Sequence, residues 1–330
     1  MEVVFDRGVY VPALDLWLDS RRKRESSIIS HAHSDHTGRH RRPVVTPNTH
    51  LLLRDYLKKS DPIALPYCET LETPTHTVTL YPAGHCLGSA QTLVVSKATG
   101  ERLLYTGDIK TLPSPTNEPL QPIACDTLVI ESTYGHPDYV FPPQDQTLAT
   151  ATRMLRTWLE RGERPVVLGW RLGKAQELLH HLLGEGFEVV VEEGIYRAVE
   201  AYREGGVNFP GVVAPFNGHW PDGTVALFPP GRSSRALNGY RYQRTMELTG
   251  WAASDSRYHW RRPADSSLPF SDHADYNDLL AYVETVKPRQ VYTVYGFPDL
   301  AAKLRGMGYP AVHLDGKGSP SSTGFQMGLL

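Results

Sequence analysis

Apolar residues in the first 130 positions come in short runs broken by Gly, Pro, Asp or Ser, a pattern that predicts strands and turns. Val3-Val4-Phe5, Leu14 to Leu18, Ser27-Ile28-Ile29, Pro43-Val44-Val45, Val78 to Tyr81, Thr92 to Ser96, Leu103-Leu104-Tyr105 and Thr127 to Ile130 read as strands. His50 to Lys59 reads as a helix among them. The texture changes near Gln144. Gln146 to Arg161 and Lys174 to Leu183 carry helical periodicity, and Pro165 to Leu168 and Phe187 to Val191 read as strands. Such alternation predicts parallel α/β units. Asp275 to Val286 then predicts a helix, Gln290 to Val294 a strand, Leu300 to Met307 a helix and Ala311 to Leu314 a strand.

The length changes this picture from one body to two. At 330 residues the chain exceeds the roughly 250–300 residues beyond which single cores split. Two lobes are expected, or one lobe interrupted by another, and two strand-rich sheets packed face to face with helices outside would bury the apolar runs. A net charge of −2 leaves any attraction to nucleic acid to local patches. The three cysteines, Cys68, Cys86 and Cys125, have no CxxC spacing and suit reduced thiols in the cytoplasm. The start does not read as a signal peptide, and no run approaches the roughly 18 apolar residues of a membrane span.

Histidine is the local anomaly. Of fourteen, five fall between His31 and His50, and three of those sit within six positions. In His31-Ala-His33-Ser-Asp35-His36 four ligand-type side chains follow the strand Ser27-Ile28-Ile29. Imidazoles two apart in a turn can share one pocket, with Asp35 and His36 facing a second position. Imidazole nitrogen and carboxylate oxygen suit Zn²⁺ and tolerate Mn²⁺. His85, in a loop of small residues, and Asp108, ending the strand at Leu103, would complete the site. Asp19, after Leu16-Trp-Leu, would orient a cluster histidine from behind. Each of these last three alone reads as an ordinary turn or core polar residue.

The ordered series Asp19, His31-x-His33-x-Asp35-His36, His85, Asp108 resembles the motifs of the metallo-β-lactamase fold. Glu131-Ser-Thr-Tyr134 resembles the acidic motif that opens its β-CASP nuclease branch, and Phe270-Ser-Asp-His273-Ala-Asp275 resembles that branch's histidine motif. Leu172-Gly-Lys-Ala-Gln-Glu177 resembles a helix opening in the inserted β-CASP lobe. The short length and Thr249-Gly-Trp-Ala252 resemble bacterial exonucleases encoded beside an ATP-dependent DNA ligase and a helicase. The resemblance implies an α/β architecture: an αββα sandwich formed by 1–143 and 263–330, with 144–262 inserted as a β-CASP lobe. One departure stands out. Where RNA-processing members carry a third-motif histidine, this chain has Tyr295. A protonated phenol is a poor ligand, which implies a weaker second metal position and a lean towards DNA.

The resemblance further implies two divalent ions, Zn or Mn. One would sit on His31, His33 and His85 and one on Asp35 and His36, with Asp108 between. His273, held charged by Glu131, would protonate the leaving oxygen. Phosphate contacts are expected from Arg171 and Lys174 at a helix start, and from Arg232, Ser233 and Ser234 in the loop after Pro229. The runs Arg21-Arg-Lys-Arg24 and Arg39-His-Arg-Arg42, with Arg235, Arg241 and Arg244, are further cations for a strand, though charge runs are usually solvated faces. Trp170, Trp251 and Tyr134 could stack on bases. The reading is a DNA exonuclease acting from a 5′ end. Its rivals are an RNA-processing nuclease of the same branch, a small-molecule metallo-hydrolase and a non-catalytic nucleic-acid-binding subunit.

Overall fold

The computed structural model describes residues 1–231, 233–254 and 264–314. They fall into two compact units. The first holds Met1–Pro113, Glu118–Pro137 and the chain from Tyr276 onward; the second holds Ser114–Asn117 and Asp138–Asp275.

The first unit begins with a six-stranded sheet whose strands β1 (Val4–Phe5), β2 (Val9–Val11), β3 (Leu16–Leu18), β4 (Ser26–Ile28), β5 (Arg42–Val45) and β6 (Ile63–Ala64) lie in sequence order. Alternation sets its faces: Val9, Val11, Leu16 and Leu18 point inward, while Tyr10 and Trp17 stack on each other outside. Helix α1 (Pro47–Leu57) starts where Thr46 accepts the Thr49 N–H and Pro47 presets the first turn. Its Leu53 and Leu57 pack on Ile29 and Val45.

A second sheet takes β7 (Thr70–Glu72), β8 (His76–Pro82), β9 (Ala90–Ser96), β10 (Arg102–Tyr105) and β11 (Thr127–Ser132). Its Val78, Leu80, Val94, Leu103 and Val129 close on Val9, Val11, Leu18 and Ile28 of the first sheet. Each such side chain stabilises by roughly 1.5–3 kcal/mol when fully buried. The sheet pair therefore provides a rigid base for the loops at its rim.

In the second unit α2 (Gln144–Glu160), β12 (Arg164–Leu168), α3 (Lys174–Gly184), β13 (Val189–Val191), α4 (Glu193–Glu204), β14 (Val213–Pro215), β15 (Val225–Phe228), α5 (Ser233–Ala236), β16 (Gln243–Leu248) and β17 (Ser266–Leu268) build an all-parallel sheet in the order β14-β13-β15-β12-β16-β17. Both faces are covered, which explains the unbroken apolar runs. Val167, Val189 and Leu227 belong to one core, and Val166, Val190 and Phe228 with Trp220 to the other.

The chain then returns through α6 (Tyr276–Val286), β18 (Gln290–Gly296), α7 (Asp299–Gly306) and β19 (Ala311–His313), completing the order β19-β18-β11-β10-β9-β8-β7. Helix α7 packs on β18 and β19. Helices outside two facing sheets make this unit the expected αββα sandwich.

Three differences from the sequence reading have local causes. Helix α1 begins at Pro47 rather than His50, because the Thr46 cap lies upstream of the apolar stripe. Helix α4 was not expected; Ile195, Val199 and Tyr202 give it a buried face, but its cap is the carboxylate of Glu192 rather than a Ser or Thr. The second unit begins at Asp138, ahead of the expected 144, and keeps β17, because β17 pairs in parallel with β16. The expected boundary at 262 lies outside the described residues.

Candidate metal centre

Strands β8, β10, β11 and β18 run in one direction, and β3 runs parallel to β4. Chemistry-bearing residues sit at their carboxyl ends: Asp19 after β3, His31 after β4, His85 after β8, Asp108 after β10, and Glu131 and Tyr295 within β11 and β18. Gly107 lets the Asp108 strand end press on the His31 strand. Its φ is +56°, and a Cβ there would lie 2.7 Å from the Ser30 Cβ.

His31, His33, His85 and Asp108 offer ligand atoms that all lie within 4.8 Å of one another. His33 Nδ1 is 3.1 Å from His31 Nε2 and 3.0 Å from His85 Nε2. Asp108 Oδ2 lies 3.5 Å from His31 Nε2, 3.9 Å from His85 Nε2 and 3.3 Å from His36 Nε2. Asp35 Oδ2 is 3.7 Å from His36 Nε2. His31, His36, His85 and Asp108 are buried; His33 and Asp35 keep partial solvent access.

Asp19 fixes which nitrogens face the cluster. Its buried carboxylate accepts from the Ser30 N–H at 2.7 Å, the Ser30 hydroxyl, and the Tyr105 hydroxyl at 2.7 Å, and lies 2.8 Å from His36 Nδ1. With its hydroxyl proton on Asp19, Ser30 Oγ accepts from His31 Nδ1 at 2.9 Å. Both imidazoles therefore keep their protons on Nδ1 and turn an Nε2 lone pair inward. His36 Nε2 is buried and makes no hydrogen bond.

Lone pairs gathered this closely repel one another without a cation. Tetrahedral Zn²⁺ with bonds of about 2.0–2.1 Å has ligand–ligand edges of about 3.3 Å, close to the separations at His33. The residues fit a divalent ion.

The local potential agrees. Burial works against a charged His36, but Asp108 and Asp35, with the Asp19 hydrogen bond, outweigh it and hold its pKa well above the usual range, so that without an ion a proton takes up the His36 Nε2 lone pair. Burial and the neighbouring His36 hold His31 well below that range.

The His85 loop is bonded at each turn. Ser89 Oγ accepts from the N–H groups of His85 and Cys86, Thr46 and Thr49 hydroxyls donate to the Gly88 carbonyl, and Glu118 takes the Gly88 N–H. Ser30, Tyr105, Ser89 and Glu118 escaped the sequence reading. Only Ser30, beside His31, left a local signal.

The other expected residues have varied placements. Glu131 is fully buried, with one oxygen accepting the Ile109 N–H at 2.7 Å. Tyr295 has φ +54°, its ring centroid 4.8 Å from that of His36, and a buried hydroxyl. Burial raises its pKa, so the phenol stays protonated. His273 lies in the second unit, its N–H bonded to Ser271 Oγ, beside Asp272.

Lys174 corrects an expectation. It is 2% exposed and its ammonium lies 3.3 Å from Asp272, so it is not a surface phosphate contact. Arg171 is half-exposed, 3.6 Å from the Glu192 carboxylate that caps α4. Ser233 and Ser234 open α5; Arg232 lies outside the described residues. Tyr134 is buried as core, whereas Trp170 is 41% exposed and Trp251 half-buried. Arg244 is bonded to Glu163 and Asp265.

An αββα sandwich with a histidine–aspartate centre at the strand ends defines the metallo-β-lactamase fold, to which this chain adds a parallel α/β unit. The comparisons narrow this. Residues 266–313 match a family described as "Zn-dependent metallo-hydrolase RNA specificity domain". A probable DNA ligase of Opitutus terrae is 37% identical over 318 residues, covering 94% of this chain and 31% of that protein. The 5′ exonuclease Apollo of Mus musculus is 26% identical, over 87% of this chain and 54% of its own length. Transcription termination factor FttA of Methanocaldococcus jannaschii is 31% identical over 53% of this chain and 32% of its own. The chain thus spans between a third and about half of these curated relatives. Together they support the β-CASP branch of the metallo-β-lactamase fold. Among the described residues no helix is long and apolar enough to cross a membrane.

Proposed function

We propose that this chain is a metal-dependent nuclease that hydrolyses phosphodiester bonds in DNA, acting as an exonuclease from a 5′ end in DNA repair. The observation that carries the reading is the convergence of His31, His33, His85, His36 and Asp108, with His36 Nε2 buried and unbonded. His31, His33 and His85 would hold one divalent ion, Asp35 and His36 a second, and Asp108 both, with Zn and Mn each suited to these donors. Bound there, such ions supply Lewis-acid charge for the phosphoryl oxygens and a nucleophile from water at neutral pH.

The protein's own groups do the rest. Asp19 and Ser30 hold His36 and His31 in the ligating tautomer. Glu131 braces the Asp108 turn through the Ile109 N–H. His273 is assigned the proton for the leaving sugar oxygen. Arg171, Arg232, Ser233 and Ser234 are assigned to the terminal phosphate.

DNA is favoured because Tyr295 stands where a further imidazole ligand would, and because likeness to a 5′ exonuclease extends over most of the chain. A relative named as a probable DNA ligase supports a ligase as working partner, and a helicase is proposed beside it. The free cysteines suit a cytoplasmic setting. A second reading, RNA processing, is favoured by the matched RNA specificity segment, which includes Tyr295.

Matched DNA and RNA strands, with and without a 5′ phosphate, separate the two readings in Mn²⁺ or Zn²⁺. The expected result is faster loss of 5′-phosphorylated DNA, abolished in His33→Ala. Faster RNA cleavage would select the second reading, and undiminished digestion by His33→Ala would end both. His273→Ala should lower turnover with metal content intact; lost metal would reassign it as a ligand.

A further inference from the structure

The two basic runs beside the metal loop contain seven cations, and the structure sorts them into used and unused charges. Arg22 pairs with Asp6 at 2.8 Å, Arg41 with Glu25 at 3.0 Å and Arg42 with Asp61 at 3.4 Å. Arg24 lies over the Trp17 ring, 3.4 Å from its centroid, and donates to Ser20 Oγ. Arg21, Lys23 and Arg39 remain. All three are exposed, and none has a carboxylate within ion-pair distance among the described residues. Arg39 rests 5.2 Å from the Tyr56 ring centroid, a contact that steadies the side chain without neutralising it.

The two runs also form one surface. A Cβ on Gly38 would lie 2.4 Å from the Ser20 carbonyl oxygen, so the loops touch one residue before Arg21 and Arg39. The Arg24 N–H donates to His40 Nδ1 at 3.2 Å, and the Arg41 N–H to the Arg24 carbonyl at 3.1 Å. Each loop leaves directly from the centre, the first at Asp19 and the second at His36. We propose that Arg21, Lys23 and Arg39 form a phosphate track on which a nucleic-acid strand lies next to the metal centre, while Arg22, Arg24, Arg41 and Arg42 build the loops that carry it.

This inference rests on the nuclease reading and names how that same site holds its substrate. A nucleic-acid strand carries one charge per about 3.4 Å of its axis, so the phosphates flanking a bond at the centre must cross the adjoining surface. A cation already neutralised by a carboxylate brings no net charge to them. Free cations displace condensed counterions, and that release leaves a measurable signature in salt dependence.

Binding of a phosphorothioate single strand, which keeps its charge and resists hydrolysis, is measured against salt at equal metal content. Each single-strand phosphate contact adds about 0.7 to the slope of log K against log salt. The triple variant Arg21→Ala, Lys23→Ala, Arg39→Ala should therefore lose about 2 from the slope. The matched triple variant Arg22→Ala, Arg41→Ala, Arg42→Ala should keep the parent slope. An unchanged slope in the first, or an equal loss in the second, overturns the track. Failure of the parent to cut ordinary DNA or RNA would overturn the nuclease reading separately, because the slope is read without cleavage.

Discussion

Asp19 lies outside the proposed ligand set and yet touches it. Its carboxylate joins Ser30, His36 and Tyr105 in a fully buried position. Asp19→Asn would place an amide donor against groups that already donate. Metal affinity should fall by about 10–100-fold, the usual effect of losing an orienting carboxylate. Competition with a chromophoric chelator measures this, and unchanged affinity would show that His36 needs no orienter. His40 makes a second prediction. It is buried, accepts from the Arg24 N–H, and desolvation lowers its pKa to about 4, the pull of Asp19 being opposed by Arg24. The unfolded imidazole titrates near 6.5, so between the two values the unfolded chain binds the extra proton. His40 should therefore contribute stability fully above about pH 6.5 and lose it as pH falls towards 4. Denaturant midpoints of parent and His40→Asn should converge over that window; a constant gap would refute the assignment. At this scale the proposed ligands and Asp19 stood out because their types and order are unusual. Tyr105 was not: a tyrosine in an apolar strand looks like core until the facing sheet brings Asp19 to it.

The elements were legible where one period dominated a run. Strands β8 to β11, helices α2 and α3 and the alternation after Gln144 follow directly from side-chain spacing. Helix α4 was hidden by its glutamate cap, and β17 by its membership of a sheet assembled from distant segments. Lys174 is the instructive failure. Its place at the opening of α3, after Gly173 with φ +82°, resembles an anion-binding helix terminus. Burial depends instead on Asp272, nearly a hundred residues later, which no local pattern reveals. Removing one member of a buried pair costs about 3–5 kcal/mol, because the other is left uncompensated. Lys174→Ala should destabilise the second unit by about that amount and leave the salt slope of strand binding untouched. Chemical denaturation followed by tryptophan emission checks the first, since Trp158 and Trp220 are buried in that unit. A changed slope with unchanged stability would restore Lys174 as a phosphate contact.

At the scale of the whole chain, two units with separate cores divide the labour unequally. The first holds all the proposed ligands, on loops leaving the carboxyl ends of β4, β8 and β10, and the second holds none of them. An ion that binds only the folded first unit stabilises it by mass action, about 2.7 kcal/mol at a free concentration one hundred times its dissociation constant. Chelation removes that increment where the ligands are. Hydrogen exchange resolved by peptide should show amides of β4, β8 and β10 losing protection after chelation, while those of β12, β13 and β15 keep theirs. In His33→Ala the first set should already exchange faster, and chelator should add little. Exchange that quickens in the second unit's sheet, or a His33→Ala chain still fully sensitive to chelator, would mean the stabilising ion is held by residues other than these. The two outcomes also separate a structural ion from the proposed one, because only the latter depends on an imidazole that keeps partial access to solvent.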